Sequence, residues 1–167
     1  MRYTPAAVAL SMFLAVSSSA GFAAGEEPDP QAQALAQAGR DLLAAGDSQG
    51  AIDLFEAALV VDPAFTAVYV DLGNAARVDG LQGKAIHYYR EALERDPENL
   101  AAISGEGEAL AEKGSLDSAR ENLARLEELC GFDCAQVDEL AAAIERGPVV
   151  RVMTAEAVSP DADVSAN

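Results

Sequence analysis

The sequence has little of the chemistry from which enzyme active sites are built. Its 167 residues include one histidine, two cysteines and no tryptophan. A single histidine, His87, supplies neither a zinc-protease site nor a serine triad, and its place in a predicted helix faces solvent. No glycine-rich phosphate loop is present, because Gly105-Glu106-Gly107 lies inside a predicted helix. We therefore predict a protein that is not an enzyme and has no catalytic residues, metal site or cofactor.

Basic residues are also scarce. The chain has 11 Lys and Arg against 28 Asp and Glu, which gives a net charge of −17. Nucleic acids and anionic membrane surfaces reward Lys and Arg, so this balance argues against both as partners. An acidic surface favours a protein partner with a basic patch. The same acidity is equally consistent with a general compositional habit of the source organism.

The chain lacks an apolar run of the roughly 20 residues that a membrane span needs. Its start has Arg2, then the apolar stretch 6–16, then a run rich in small residues. This layout predicts a secretory signal peptide, residues 1–23, cleaved after Ala23 or, as second choice, after Ala20. An uncleaved membrane anchor is the alternative. We expect an exported, soluble protein, periplasmic in a bacterium, with no stable membrane insertion after cleavage.

What the sequence does contain is a 34-residue period, clearest from Thr66 to Pro97. With Thr66 as position 1 of a unit, characteristic residues fall at positions 4, 7, 8, 15, 20, 24, 27 and 32: Tyr69, Leu72, Gly73, Gly80, Ala85, Tyr89, Ala92 and Pro97. This spacing resembles that of the tetratricopeptide repeat, a helix–turn–helix unit. The resemblance implies that Gly73 and Ala85 face each other where the two helices cross.

The same markers recur one period earlier and one period later. The earlier copy has Leu35, Gly39, Gly46, Ala51, Phe55, Ala58 and Pro63. The later copy has Ile103, Gly107, Gly114, Ala119 and Leu123, but Glu106 replaces a buried Leu, Leu126 replaces Ala and Gly131 replaces Pro. A degraded last copy is typical of the end of an array. We predict repeats at about 32–65, 66–99 and 100–131.

The resemblance implies an all-α fold, a right-handed superhelical stack of antiparallel helix pairs over residues 30–146. Asp133 and Gln136 predict a capping-box start for a C-terminal capping helix at 134–146. Residues 24–29 form a polar linker, and 147–167 are expected to be a mostly disordered acidic tail.

Aspartate–proline pairs suggest where three helices start. Asp29-Pro30, Asp62-Pro63 and Asp96-Pro97 each predict an N-cap followed by proline at the first helical position, before helices one, three and five. Gly105 and Gly107 predict that helix five is the softest, because each costs up to about 1 kcal/mol relative to alanine.

Members of the family resembled here bind partners on a concave face lined by the first helix of each repeat. The residues expected to form a partner-binding groove are Gln33, Arg40, Val70, Asn74, Arg77, Ser104 and Glu108. Asn74 offers a peptide backbone both a donor and an acceptor, and Arg40 and Arg77 could hold a carboxylate. A merely solvated inner face is the alternative.

One binding mode of the family is not expected. Members that clamp the C-terminal carboxylate of chaperones use a set of Lys, Asn and Arg residues. The matching positions here hold Ala36, Arg40, Asp71, Ala101 and Gly105, so the clamp is absent apart from Arg40.

The two cysteines, Cys130 and Cys134, lie four apart between the last repeat and the capping helix. Export and an even count favour a disulfide, while a metal site, a redox pair and free thiols remain alternatives. We interpret the protein as an adaptor or scaffold that binds a peptide or protein segment. A thiol–disulfide or redox-sensing role and structural self-association are the other hypotheses.

Overall fold

The computed structural model describes residues 27–149, which form seven α-helices. They are α1 (Pro30–Ala44), α2 (Ser48–Val61), α3 (Thr66–Val78), α4 (Gln82–Arg95), α5 (Leu100–Lys113), α6 (Leu116–Cys130) and α7 (Ala135–Arg146). The predicted signal peptide and most of the predicted tail lie outside the described residues. None of the described helices has both the length and the apolar character needed to cross a bilayer.

The helices stack as three antiparallel pairs followed by one single helix. Helix α1 packs against α2, α3 against α4, and α5 against α6. Helix α7 packs against both α5 and α6. We call α1, α3, α5 and α7 the inner helices, and α2, α4 and α6 the outer helices. The predicted fold class, an all-α superhelical stack, is confirmed.

Each pair reverses direction at a glycine in the left-handed region of backbone space. Gly46, Gly80 and Gly114 have φ values of 88°, 69° and 94° and follow α1, α3 and α5. Residues with a Cβ rarely adopt this conformation, which explains why a glycine recurs at every 34th position.

The predicted cap-plus-proline start is right for α1 only. The Asp29 carboxylate accepts a hydrogen bond of 2.7 Å from the Gln31 amide, with Pro30 as the first helical residue. In contrast, Asp62 and Asp96 end α2 and α4, because each backbone N–H still donates to the carbonyl four residues before it. The following prolines cannot continue those helices and lie in the turns instead.

The next helices therefore start later than predicted. Helix α3 begins at Thr66 without a side-chain cap, and α5 begins at Leu100 after Asn99, whose side chain accepts from the Ala102 amide. The capping box predicted for α7 is also wrong, since Cys134 occupies the N-cap position and makes no side-chain cap bond.

Helix α5 is enclosed by α3, α4, α6 and α7, and its two glycines have a packing role. A Cβ on Gly107 would come closer than 3.0 Å to Leu140 of α7. The glycines therefore permit close helix contact, and the predicted softness of α5 stays a prediction. Glu106 of the same helix is buried, where it accepts from Arg90 at 2.7 Å and from Asn122 at 3.1 Å.

A disulfide joins Cys130, the last residue of α6, to Cys134, the residue before α7, with their Cα atoms 5.9 Å apart. Both cysteines are half-buried and pack beside the apolar cluster of Ile103, Leu126, Val137 and Leu140. The start of α7 is thereby tethered to the end of the third repeat.

Candidate functional site

The inner helices α3, α5 and α7 enclose a groove with a volume of about 690 Å³. Its lining comes from all three helices: Val70, Asn74, Arg77, Ala101, Ser104, Gly105, Glu108, Gln136, Asp138, Glu139, Ala142 and Arg146. The groove lies on the face formed by the inner helices, where the sequence placed the binding surface.

Five of the seven residues predicted for the groove line it: Val70, Asn74, Arg77, Ser104 and Glu108. The other two do not, because the groove opens between the second and third repeats and α7. The side-chain amide of Gln33 donates to the Pro28 carbonyl at 2.7 Å. The guanidinium of Arg40 is held by the Asp71 carboxylate, also at 2.7 Å, and Ala36 is fully buried.

Helix α7 contributes a wall of the groove that the repeat pattern did not predict. Gln136, Asp138, Glu139, Ala142 and Arg146 all line the groove, although α7 was expected only to cap the stack. A signal for them was present in the sequence. Carrying the 34-residue count one unit further places Asp138 and Ala142 at positions 5 and 9, where the residues of an inner face fall.

The floor of the groove depends on Tyr89 of the outer helix α4. Its ring passes between α3 and α5, where a Cβ on Gly73 or on Gly105 would come closer than 3.0 Å to it. The atoms nearest to a Cβ built on Gly73 all belong to the tyrosine ring, and the prediction that Gly73 faces Ala85 stays a prediction. The buried Tyr89 hydroxyl donates at 2.7 Å to Oδ1 of Asn74, a residue that lines the groove.

Burial raises the pKa of Tyr89, nearby Arg77 opposes the rise, and Glu108 adds to it. The phenol therefore stays protonated and remains a donor. This bond uses one of the two lone pairs of Asn74 Oδ1 and fixes the orientation of the amide, while its Nδ2 hydrogens stay available to a ligand. The predicted use of Asn74 as both donor and acceptor stays a prediction, with the donor side free and the acceptor side shared with Tyr89.

Arg77 is already paired inside the protein. It forms a charge-assisted hydrogen bond with Glu108 and lies 3.7 Å from a Glu112 oxygen. Burial lowers the pKa of Arg77, but the carboxylates of Glu108 and Glu112 outweigh that effect, and its pKa lies above the usual value. Like Arg40, Arg77 is already paired with an internal carboxylate, and its role in holding an incoming carboxylate stays a prediction.

The free charges of the groove lie on α7. Asp138, Glu139 and Arg146 are exposed and form no ion pair with any residue between 27 and 149. Ser104 Oγ lies 3.3 Å from the Gln136 carbonyl oxygen, and a Cβ on Gly107, further along α5, would meet Leu140. Helices α5 and α7 therefore run in the same direction. The two carboxylates lie near the start of α7, and Arg146 lies at its end.

Comparison with known proteins identifies the family to which the repeats belong. Two tetratricopeptide repeat (TPR) models match the chain, one over residues 36–97 and the other over residues 83–144. Among curated proteins, no sequence matches.

Solved TPR structures share the fold. The Sgt2 TPR domain from Aspergillus fumigatus is 25% identical, with a TM-score of 0.65 over 71% of this chain and 78% of that one. The Yersinia enterocolitica type III secretion chaperone SycD, in complex with a peptide of the translocator YopD, is 22% identical, with a TM-score of 0.60 over 68% and 89%. The complex of the yeast Sti1 TPR2B domain with pHsp70 is 19% identical, with a TM-score of 0.64 over 71% and 98%.

Proposed function

Because the chain belongs to the tetratricopeptide repeat family, we propose that it is an adaptor that binds a segment of another protein in the groove between α3, α5 and α7. The observation that carries this proposal is the groove itself. At about 690 Å³ it is large enough for several residues of a peptide, and it opens on the inner-helix face.

Two of the similar structures support this role. SycD was solved with a peptide of YopD, and the Sti1 domain was solved with pHsp70. In this chain, the Nδ2 hydrogens of Asn74 would donate to a backbone carbonyl of the bound segment. Val70, Ala101 and Ala142 would contact its apolar side chains.

We propose that the protein acts after export, in the periplasm if the source is a bacterium. The signal-peptide pattern at 1–23 supports this location, and so does a disulfide, which persists in oxidising compartments. The net charge of −17 favours a partner with a basic surface.

Site-specific photo-crosslinking tests the groove directly. A photoreactive amino acid at Ala142, an exposed groove residue, is expected to crosslink a partner in the exporting cell. The matched control is Val60, which is 84% exposed on the outer helix α2. Equal crosslinking from both positions, or crosslinking from Val60 alone, would show that the partner binds elsewhere.

A further inference from the structure

We infer that the groove selects a bipolar segment, one with basic side chains at one end and an acidic group about four residues away. This inference rests on the proposed function and specifies the partner of the same site. The basic end of the segment lies against Asp138 and Glu139, and its acidic end lies against Arg146.

The first support is the difference between paired and unpaired charges in the groove. Arg77 and Glu108 neutralise each other, and Ser104 also donates to Glu108 at 3.2 Å. These groups are satisfied before any ligand arrives. The charges of Asp138, Glu139 and Arg146 have no partner among the described residues, so an incoming segment can pair with them without breaking an internal bond.

The second support is the separation of the two signs. Asp138 and Arg146 are eight residues apart on α7, which corresponds to about 12 Å along a helix that rises 1.5 Å per residue. An extended peptide covers about 3.3 Å per residue, so complementary charges on the ligand lie about four residues apart. Opposite charges closer together cannot reach both ends of the groove at once.

The centre of the groove gives the segment a third contact. Asn74 has unit position 9, between the positions 5 and 13 of Asp138 and Arg146, and the bond from Tyr89 to its oxygen orients the amide with its Nδ2 hydrogens free to donate. A donor suits the carbonyl groups of an extended backbone, independently of sequence. The charged ends of the groove thus determine which segment binds, and Asn74 binds the backbone of that segment.

The same charges disfavour an entirely acidic ligand. Such a ligand would meet Asp138 and Glu139 at one end, in a protein whose net charge is already −17. An entirely basic ligand would pair with that end and meet Arg146 at the other.

Three fluorescent peptides with blocked ends test the inference by anisotropy. The bipolar peptide has two arginines, then Ser-Ala-Ser, then two aspartates. The mixed peptide has the same composition, with one arginine and one aspartate at each end. The basic peptide replaces both aspartates with arginines. We expect the bipolar peptide to bind roughly fivefold tighter than either of the others, because it alone brings only complementary charges to both ends, whereas each of the others also brings a repelling charge to at least one end.

Variants of α7 separate the two ends. Arg146→Gln and the double variant Asp138→Asn with Glu139→Gln should each weaken bipolar binding about twofold to fivefold. The matched controls, Glu145→Gln on the same helix and Lys113→Gln at the end of α5, do not line the groove and should leave binding unchanged. Circular dichroism checks that every variant stays folded.

The inference is overturned if the mixed peptide binds as tightly as the bipolar one, if Arg146→Gln leaves bipolar binding unchanged, or if none of the peptides binds. Crosslinking from Ala142 would still succeed in those cases if the groove takes a segment of different charge. The bipolar preference can therefore fail while the proposed function stands.

Discussion

At the scale of single residues, the packing of the second repeat against the third depends on the contact of the Tyr89 ring with Gly73 and Gly105. The sequence marks Gly73 and Tyr89 as repeat positions, and both are buried as such positions should be. It does not reveal that the ring also needs Gly105, because that contact joins helices from different repeats. By helix propensity alone, Gly105 destabilises α5. In the structure, the same glycine lets the Tyr89 ring pack against the helix.

The first prediction concerns this contact. Gly105→Ala places a Cβ closer than 3.0 Å to the enclosed Tyr89 ring and should lower the free energy of unfolding by about 1–3 kcal/mol. Gly83→Ala in α4 is the control, since a Cβ there meets nothing within 4 Å, and it should be neutral or slightly stabilising. Urea unfolding measures both. Equal stability of the two variants would contradict the close contact.

A second prediction uses the raised pKa of Tyr89. Its unfolded value is about 10, so its contribution to stability is complete below pH 10 and is lost as pH rises toward the higher folded value. The free energy of unfolding should fall by up to about 1.4 kcal/mol per pH unit above pH 10 on account of this group.

Tyr89→Phe should remove that part of the slope. Tyr88→Phe is the control, because the Tyr88 hydroxyl makes only an exposed bond of 3.3 Å with Glu56. Chemical unfolding between about pH 9 and 11 provides the comparison. An unchanged slope in Tyr89→Phe would mean that the phenol is not protected as described.

At the scale of helices, sequence rules predicted the order and number of the elements but not all of their starts. An aspartate before a proline suits the end of one helix as well as the start of the next. At Asp62 and Asp96 the preceding helix continues to that residue, and local sequence cannot decide between the two. For α7 the predicted helix is present, but its side chains complete the groove wall, which depends on how it packs against α5.

The disulfide gives the prediction at this scale. Replacing both Cys130 and Cys134 with serine should lower the free energy of unfolding by about 2 kcal/mol, because the closed loop is short. Protection of α7 amides against hydrogen exchange should fall more than protection of α3 amides, since the tether acts at the start of α7.

Mass spectrometry of freshly isolated protein checks the bond itself. The intact chain should be lighter than its reduced form by two hydrogen atoms. Free thiols in that sample would contradict both the disulfide and the proposed export.

At the scale of the whole molecule, most of the described basic residues are paired with acidic residues of the same chain. Six of them form salt bridges with its own carboxylates: Arg40, Arg77, Lys84, Arg90, Arg95 and Arg120. Two of these pairs, Arg40–Asp71 and Arg77–Glu108, link one inner helix to the next. The charge balance can be read from the composition, but only the packing of the helices shows which cations are occupied. Both arginines that the sequence pattern offers as ligand-binding groups, Arg40 and Arg77, are among the occupied cations.

The large excess of negative charge predicts a response to salt. Exposed ion pairs contribute little individually, whereas repulsion among 28 acidic residues acts over the entire surface. The melting temperature should therefore rise between about 10 mM and 500 mM NaCl, as screening shortens the range of that repulsion. Bipolar peptide binding should weaken over the same range. A melting temperature that falls with salt would mean that the inter-helix pairs dominate.

The contact between Tyr89 and Gly105 also bears on how such an array can evolve. The tyrosine belongs to one repeat and its glycine to the next, so the two repeats fit only in this order. If residues 66–99 were duplicated in tandem, the first copy of Tyr89 would meet Asp71, which occupies the unit position of Gly105. A side chain would then lie where the ring needs bare backbone. In the present array Phe55, at the unit position of Tyr89 but without a hydroxyl, already precedes Asp71 in this way. Copying the central unit would set a tyrosine in the same relation to Asp71, without the bare backbone that Gly105 now offers its hydroxyl, and the history of duplication is constrained accordingly.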